Sequence, residues 1–292
     1  MAGKAFDDYI APARAYPQIW RILAGLVLTV GLYMGLIAAA AAWIGVVMGA
    51  EDGAERFRIL ATGQSRLGVV VLLFSFTALG IGPFLAARWL HKRPIASLFG
   101  PRAGGWRAFQ IAATVVFVAW TGFFILMYPF EIPETGVPPA IWAAWLPLAL
   151  PGLLIQTGAE EVLFRGYVQQ QLAARFRSPL VWMLCPSALF GLLHFDAQHG
   201  LGNAWLVVAV TGLFGLVAAD LTARTGALWA GWGLHFANNA FAILVLATPG
   251  PLDGLALFRL PFSDGAQMQA YLALDLIALI LLWALLRRLL RV

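Results

Sequence analysis

TGAEEVLFRG, residues 157–166, sets two adjacent carboxylates and an arginine at the end of a long apolar run. A charged side chain at membrane depth costs roughly 2.5–3.5 kcal/mol on insertion scales, so Glu160, Glu161 and Arg165 must answer to function or to tight pairing. On a helix, residues four apart share a face while neighbours diverge by about 100°. Glu161 and Arg165 therefore form an i,i+4 pair in the favourable acid-before-base order. Glu160 points elsewhere and has no local basic partner. A purely structural ion cluster, with Arg165 snorkelling, is the plain alternative to a site.

Working outward, apolar stretches dominate. The 292 residues are 61% hydrophobic and 11% charged, against about 25% charged in a soluble domain. Mean hydropathy is +0.82. Twelve Trp and twenty Phe suit lipid-facing and interfacial positions. A single cysteine, Cys185, excludes an intrachain disulfide framework. The formal charge of +5 comes without a dense Lys/Arg run, which argues against nucleic acid. The composition predicts an all-α, polytopic membrane bundle whose partners are membrane lipids.

A spanning helix needs about 20 predominantly apolar residues. The intervals that qualify or nearly qualify are 22–50, 67–87, 108–130, 140–174, 180–195, 204–222, 227–248 and 267–286, about eight transmembrane helices. The fifth is short and holds Pro186, which predicts a kink; the eighth is interrupted by Asp275. Residues 1–21 read as a cytoplasmic N-terminal tail with an interfacial segment near Tyr9 to Tyr16, since Asp7, Asp8 and the length of the next apolar run do not suit a secretory signal. Of the 19 Lys and Arg, all but Arg165, Arg56, Arg58, Arg66 and Arg259 fall in segments on the side of the N-terminus. That positive-inside pattern predicts a multi-pass protein of the cell membrane with both termini cytoplasmic.

Two of the four histidines lie inside predicted spans, His194 in FGLLH and His235 in HFANN. Asn239 follows His235 at i+4 and shares its face. A lone membrane histidine is an ordinary packing residue. Two of them with Glu160 and Asn239, on three helices, are satisfied together by one shared cavity. There Glu160 with His194 would take a proton from water, and His235 with Asn239 would donate to an oxyanion. Alternatively, Glu160, His194 and His235 match a catalytic zinc set with an open fourth position. The residues leave both mechanisms open.

EEVLFR, FGLLH and HFANN together resemble the EExxxR, FxxxH and HxxxN motifs of the CPBP intramembrane protease family, which includes the type II CAAX prenyl endopeptidases and the bacterial Abi proteins. The resemblance covers about residues 142–246. It implies a CAAX-protease-like core and a hydrolase acting on a peptide or membrane protein substrate. Glu160 would be the water-activating base with His194, His235 and Asn239 would stabilise the oxyanion, and Glu161 and Arg165 would support the site. No cofactor is the favoured expectation, with zinc as the alternative; whether the substrate is prenylated and the oligomeric state are not readable. The division is 1–21 tail, 22–139 helices one to three, 140–250 core with helices four to seven, and 251–292 loop and last helix.

Rival functions are a non-catalytic membrane scaffold or immunity protein, and a proton-coupled transporter, for which no symmetric broken helices are visible. Other polar residues have plain expectations. Asp220 and Arg224 pair at i,i+4; Asp275 marks either a cavity role or a mistaken helix boundary. His91 and His199 are solvated, and Ser187 is a packing residue. Gly212, Gly215, Gly226, Gly231 and Gly233 allow close helix packing, and Trp229 and Trp232 pack.

Overall fold

A computed structural model describes residues 3–197, 200–262 and 264–292; His199 lies outside them. The chain is a polytopic helical membrane bundle. It opens with a short helix α1 (Lys4–Ile10) and a 3₁₀ turn, Ala11–Ala15. Rather than trailing as a tail, this segment buries Phe6, Tyr9 and Ile10. The Phe6 ring lies 4.8 Å from that of Trp182.

Helix α2 (Ile19–Met48) ends at Gly49, whose φ of 85° turns the chain into α3 (Ala50–Thr62). The apolar intervals 22–50 and 67–87 leave this stretch unassigned. Glu51 and Asp52 occupy the first turn of α3, where they favour the helix dipole, and Gly63 closes it in the left-handed region at φ 66°. Helix α4 (Arg66–Leu85) is capped by Ser65, whose Oγ accepts from the Gly68 amide at 3.0 Å. A π-helical turn extends it to Leu90. Helix α5 spans Gly105–Met127.

Helix α6 (Pro139–Glu161) starts with proline in its first turn, which needs no donor there. It continues through a π-helical stretch, Val162–Gln169, into α7 (Gln170–Arg175). Together they make a single apolar helix, Pro139–Arg175. Next comes a π-helical turn, Leu180–Leu184, feeding α8 (Cys185–Leu192). Pro186 falls in the first turn of α8, where the expected break occurs as this change of helical pitch. Helices α9 (Leu201–Thr225), α10 (Trp229–Ala240) and α11 (Gly265–Leu290) complete the bundle, α10 running on as a π-turn Phe241–Val245.

Six helices among the described residues are long and apolar enough to cross a membrane. The expected fifth and seventh spans are the exceptions: Leu180–Leu192 is shorter, and α10 with its π-turn covers only residues 229–245. Large apolar side chains such as Val27, Trp43, Val46 and Ile125 face outward, as lipid contact requires. The inner core gathers Phe164, Tyr167, Phe190, Phe214, Leu221 and Leu234. Helix α10 packs along α5, α4 along α6, and α8 against α9.

Close packing rests on glycines. A Cβ on Gly215 would stand 3.0 Å from Ser187, and one on Gly191 2.6 Å from the Val208 carbonyl. Gly226 serves differently: at φ 67° it closes α9, its N–H bonding Thr222 O at 2.9 Å. Ser187 donates to Met183 O at 2.7 Å and packs as expected. Away from the termini, β1 (Glu134–Thr135) and β2 (Leu246–Ala247) both pair with β3 (Phe258–Arg259), the first antiparallel and the second parallel.

Candidate active site

Glu160 and Glu161 close α6, and the π-helical stretch that follows carries Arg165. Such insertions in a helix recur at functional sites. Glu161 is fully buried at 0% exposure and Arg165 at 2%. Their i,i+4 pair forms with Nη1 to Oε1 at 2.9 Å, while Nη2 donates to Gly215 O at 3.3 Å. The guanidinium also lies 5.0 Å from the Phe190 ring centre.

His235 joins the two acids. Its Nδ1 lies 2.9 Å from Glu161 Oε1, and its Nε2 3.3 Å from Glu160 Oε2. An ionised carboxylate only accepts, so Nδ1 carries the proton and the bond to Glu161 sets the ring's orientation. Glu160 Oε2 is buried and accepts no hydrogen bond. Gly231 makes room for this arrangement: a Cβ there would stand 3.2 Å from Glu161 Oε2.

His194 closes a turn after α8, its N–H bonding Gly191 O at 2.9 Å. Its Nδ1 donates to Phe190 O at 2.8 Å, which leaves Nε2 as the available nitrogen. Asn239 Nδ2 donates to Gln156 Oε1 at 3.0 Å. Asn238 links onward, with Nδ2 to Asn239 Oδ1 at 3.3 Å and Oδ1 accepting from Trp120 at 3.2 Å.

Glu160, His194, His235 and Asn239 all line one cavity of about 400 Å³, within the range of small-molecule sites. Its walls are otherwise largely apolar, including Leu72, Leu73, Phe76 and Phe214. The short fifth helix brings His194 to the level of Glu160. At 1.5 Å per residue, residues 180–192 span about 20 Å, and Glu160 sits about 22 Å of helix axis from Arg175. Both helices start from the same end, so both residues fall at similar depth inside a hydrocarbon core about 30 Å thick.

Gln156 was missed by the sequence reading although it lies one turn before Glu160, on the same face. Asp275 was left open there; α11 runs through it unbroken, and its side chain lines the cavity. Asp220 and Arg224 pair at 2.7 Å as expected, and Trp283 also donates to Asp220 at 2.8 Å. His91 corrects its expectation. It is 1% exposed, with Nδ1 3.0 Å from Tyr16 O and Nε2 2.9 Å from the Tyr167 hydroxyl. Burial, then the nearby Arg93 and Arg21 charges, push its pKa down to about 4 against the opposing bond to Tyr16.

The alternative zinc set is Glu160, His194 and His235, all on the cavity wall. Among the described residues no three His, Cys, Asp or Glu side chains are disposed to hold a metal ion. His235 Nδ1 is bonded to Glu161 and His194 Nδ1 to a backbone carbonyl, which leaves Nε2 of each ring as the nitrogen that would ligate a metal. Glu160, His194 and His235 line one cavity, and no step below runs through a metal.

A helical membrane bundle with this buried cluster defines a class. Residues 140–241, which hold every one of these motifs, match the family described as type II CAAX prenyl endopeptidase Rce1-like. The match is to a CAAX-protease-like hydrolase at the level of the family, and the apolar helices are those of a multi-pass membrane protein. The chain is also similar to the uncharacterized protein YyaK of Bacillus subtilis (strain 168), 28% identical over 260 residues, 85% of each chain. No solved structure matches.

Proposed function

We propose that the protein is an intramembrane endopeptidase that cleaves a membrane-associated peptide or protein with a water activated by Glu160 and His194. The observation that carries this reading is the one cavity wall on which His235 bridges both glutamates and Glu160, His194 and Asn239 stand together. A carboxylate and an imidazole on one cavity wall are the groups that can accept the two protons of an attacking water.

The steps follow from the donors. Glu160 takes a proton as the water oxygen attacks the peptide carbon, and His194 Nε2 holds the water. Charge develops on the carbonyl oxygen, which accepts from His235 Nε2–H in the imidazolium form and from the second Asn239 amide hydrogen. With His235 protonated, Glu160, Glu161, Arg165 and His235 sum to zero charge, so the cluster is balanced before attack. Glu160 then returns its proton to the leaving nitrogen as the C–N bond breaks, releasing one amine and one carboxylate product. Glu161 and Arg165 position His235.

No cofactor is needed for these steps. The chain is placed in the cell membrane with both termini cytoplasmic, on the strength of the basic residues gathered at the terminus-bearing end. Comparative membrane proteomics of cells carrying wild type or Glu160→Gln tests the function. Trimmed termini present with wild type and absent with the variant are expected; identical termini in both would remove the hydrolytic reading.

A further inference from the structure

Asp275 is an acid in the cavity that the hydrolysis does not use. It sits well inside α11, whose apolar length qualifies it to cross the membrane, where a carboxylate is costly without a partner. Among the described residues its side chain makes no hydrogen bond or ion pair. Glu160, the other acid lining the cavity, is 9% exposed with an oxygen that accepts no hydrogen bond. No Lys or Arg lines the cavity among the described residues, because Arg165 is drawn to Glu161 and Gly215. An anionic side chain entering would face two carboxylates at once. A cationic one could pair with Asp275 while its aliphatic stem lies along Leu72, Phe76 and Leu279.

We propose that Asp275 is a specificity-determining residue that selects a lysine or arginine side chain beside the bond to be cut. This rests on the proteolytic reading for its purpose, but its charge preference can be measured without turnover. The probes are three blocked peptides, acetyl-Leu-Leu-Xaa-Leu-Leu-amide, with lysine, norleucine or glutamate at the centre. Their binding is measured by calorimetry on the full-length protein in detergent carrying Glu160→Gln.

The lysine peptide is expected to bind roughly tenfold more tightly than the norleucine peptide, at the low end of the coupling found for close charge pairs. The glutamate peptide should bind weakest. Adding Asp275→Asn should bring the lysine peptide to the norleucine level, and Asp275→Glu should keep the preference. Equal binding of lysine and norleucine peptides, or a preference that survives Asp275→Asn, overturns the proposal. If wild type cleaves none of the three while the binding order and its loss in Asp275→Asn hold, cation selection stands and the protease reading is the one that fails.

Discussion

Replacing Arg165 by methionine tests how the buried cluster is held. The side chain is nearly isosteric along its stem, so the change removes charge more than volume. It deletes the 2.9 Å pair to Glu161 and the 3.3 Å bond to Gly215 O. Glu161 is left fully buried with His235 as its remaining donor. Breaking a buried pair by removing one partner typically costs about 3–5 kcal/mol. The surviving His235 bond should hold the loss near the low end, about 3 kcal/mol. In the double variant Glu161→Gln/Arg165→Met the orphaned charge is gone. What is then lost is the bond to Gly215, about 1 kcal/mol, and a weakened bond to His235. The double variant should therefore be about 2 kcal/mol more stable than Arg165→Met alone, the coupling expected of contacting charges.

Denaturant unfolding of the purified proteins in detergent measures the stability differences, and cleavage of a membrane-anchored reporter measures function. Stability should recover in the double variant while cleavage does not, because Glu161 would no longer offer a carboxylate to His235. If Arg165→Met unfolds within 1 kcal/mol of wild type, or if the double variant is the less stable of the two, the buried-pair account is refuted.

Other outcomes follow from the same geometry. Glu160→Gln should lose cleavage by at least a hundredfold, in line with loss of a general base, while its unfolding midpoint stays near wild type. Chelators should leave cleavage unchanged, and elemental analysis of active protein should find less than stoichiometric zinc; parallel loss of metal and activity would reinstate the Glu160, His194, His235 zinc set. His91 is depressed to about 4 in the folded state against about 6.5 unfolded, so the unfolded chain binds the extra proton between those values. Stability should be full above pH 6.5 and fall by about 3 kcal/mol in total as pH drops through 4; the difference between wild type and His91→Asn, measured from pH 7 to 4, should show that slope. Tyr9→Phe removes the 2.8 Å bond to Leu98 O and should cost about 1 kcal/mol in unfolding experiments.

Much of the architecture was legible because apolar length is a direct physical signal. The expected ends of the long spans, such as 22–50 for Ile19–Met48 and 108–130 for Gly105–Met127, fall within a few residues of the observed ones. Helix pitch was not legible: the π-helical stretches at Val162–Gln169 and Leu180–Leu184 arise from packing and carry no local signature. Neither was the burial of His91, since Lys92 and Arg93 beside it suggest water. Arg93 is instead folded under the bundle, bonded to Gln170 and Ser97. Gln156 could have been found, because its one-turn spacing from Glu160 is the same argument that paired Glu161 with Arg165. Helix α3 could have been found too, from Gly49 and Gly63 framing a stretch that opens with Glu51 and Asp52.

The division of labour within EEVLFR is finer than charge pairing implies. From the sequence, Glu161 and Arg165 neutralise each other and Glu160 alone seeks distant partners. In the fold a single oxygen, Glu161 Oε1, meets both Arg165 Nη1 and His235 Nδ1 at 2.9 Å. The pair that balances charge is thus the pair that turns the imidazole, and Nε2 is directed at Glu160 as a consequence. Under the hydrolytic reading a substitution at Arg165 reaches the reacting atoms through two contacts, first Glu161 and then His235. It should therefore lower the rate of cleavage even where the fold is retained, because the carboxylate that orients His235 has lost its other donor. A loss of cleavage no larger than the loss of folded protein would mean that Arg165 acts only by holding the helices together.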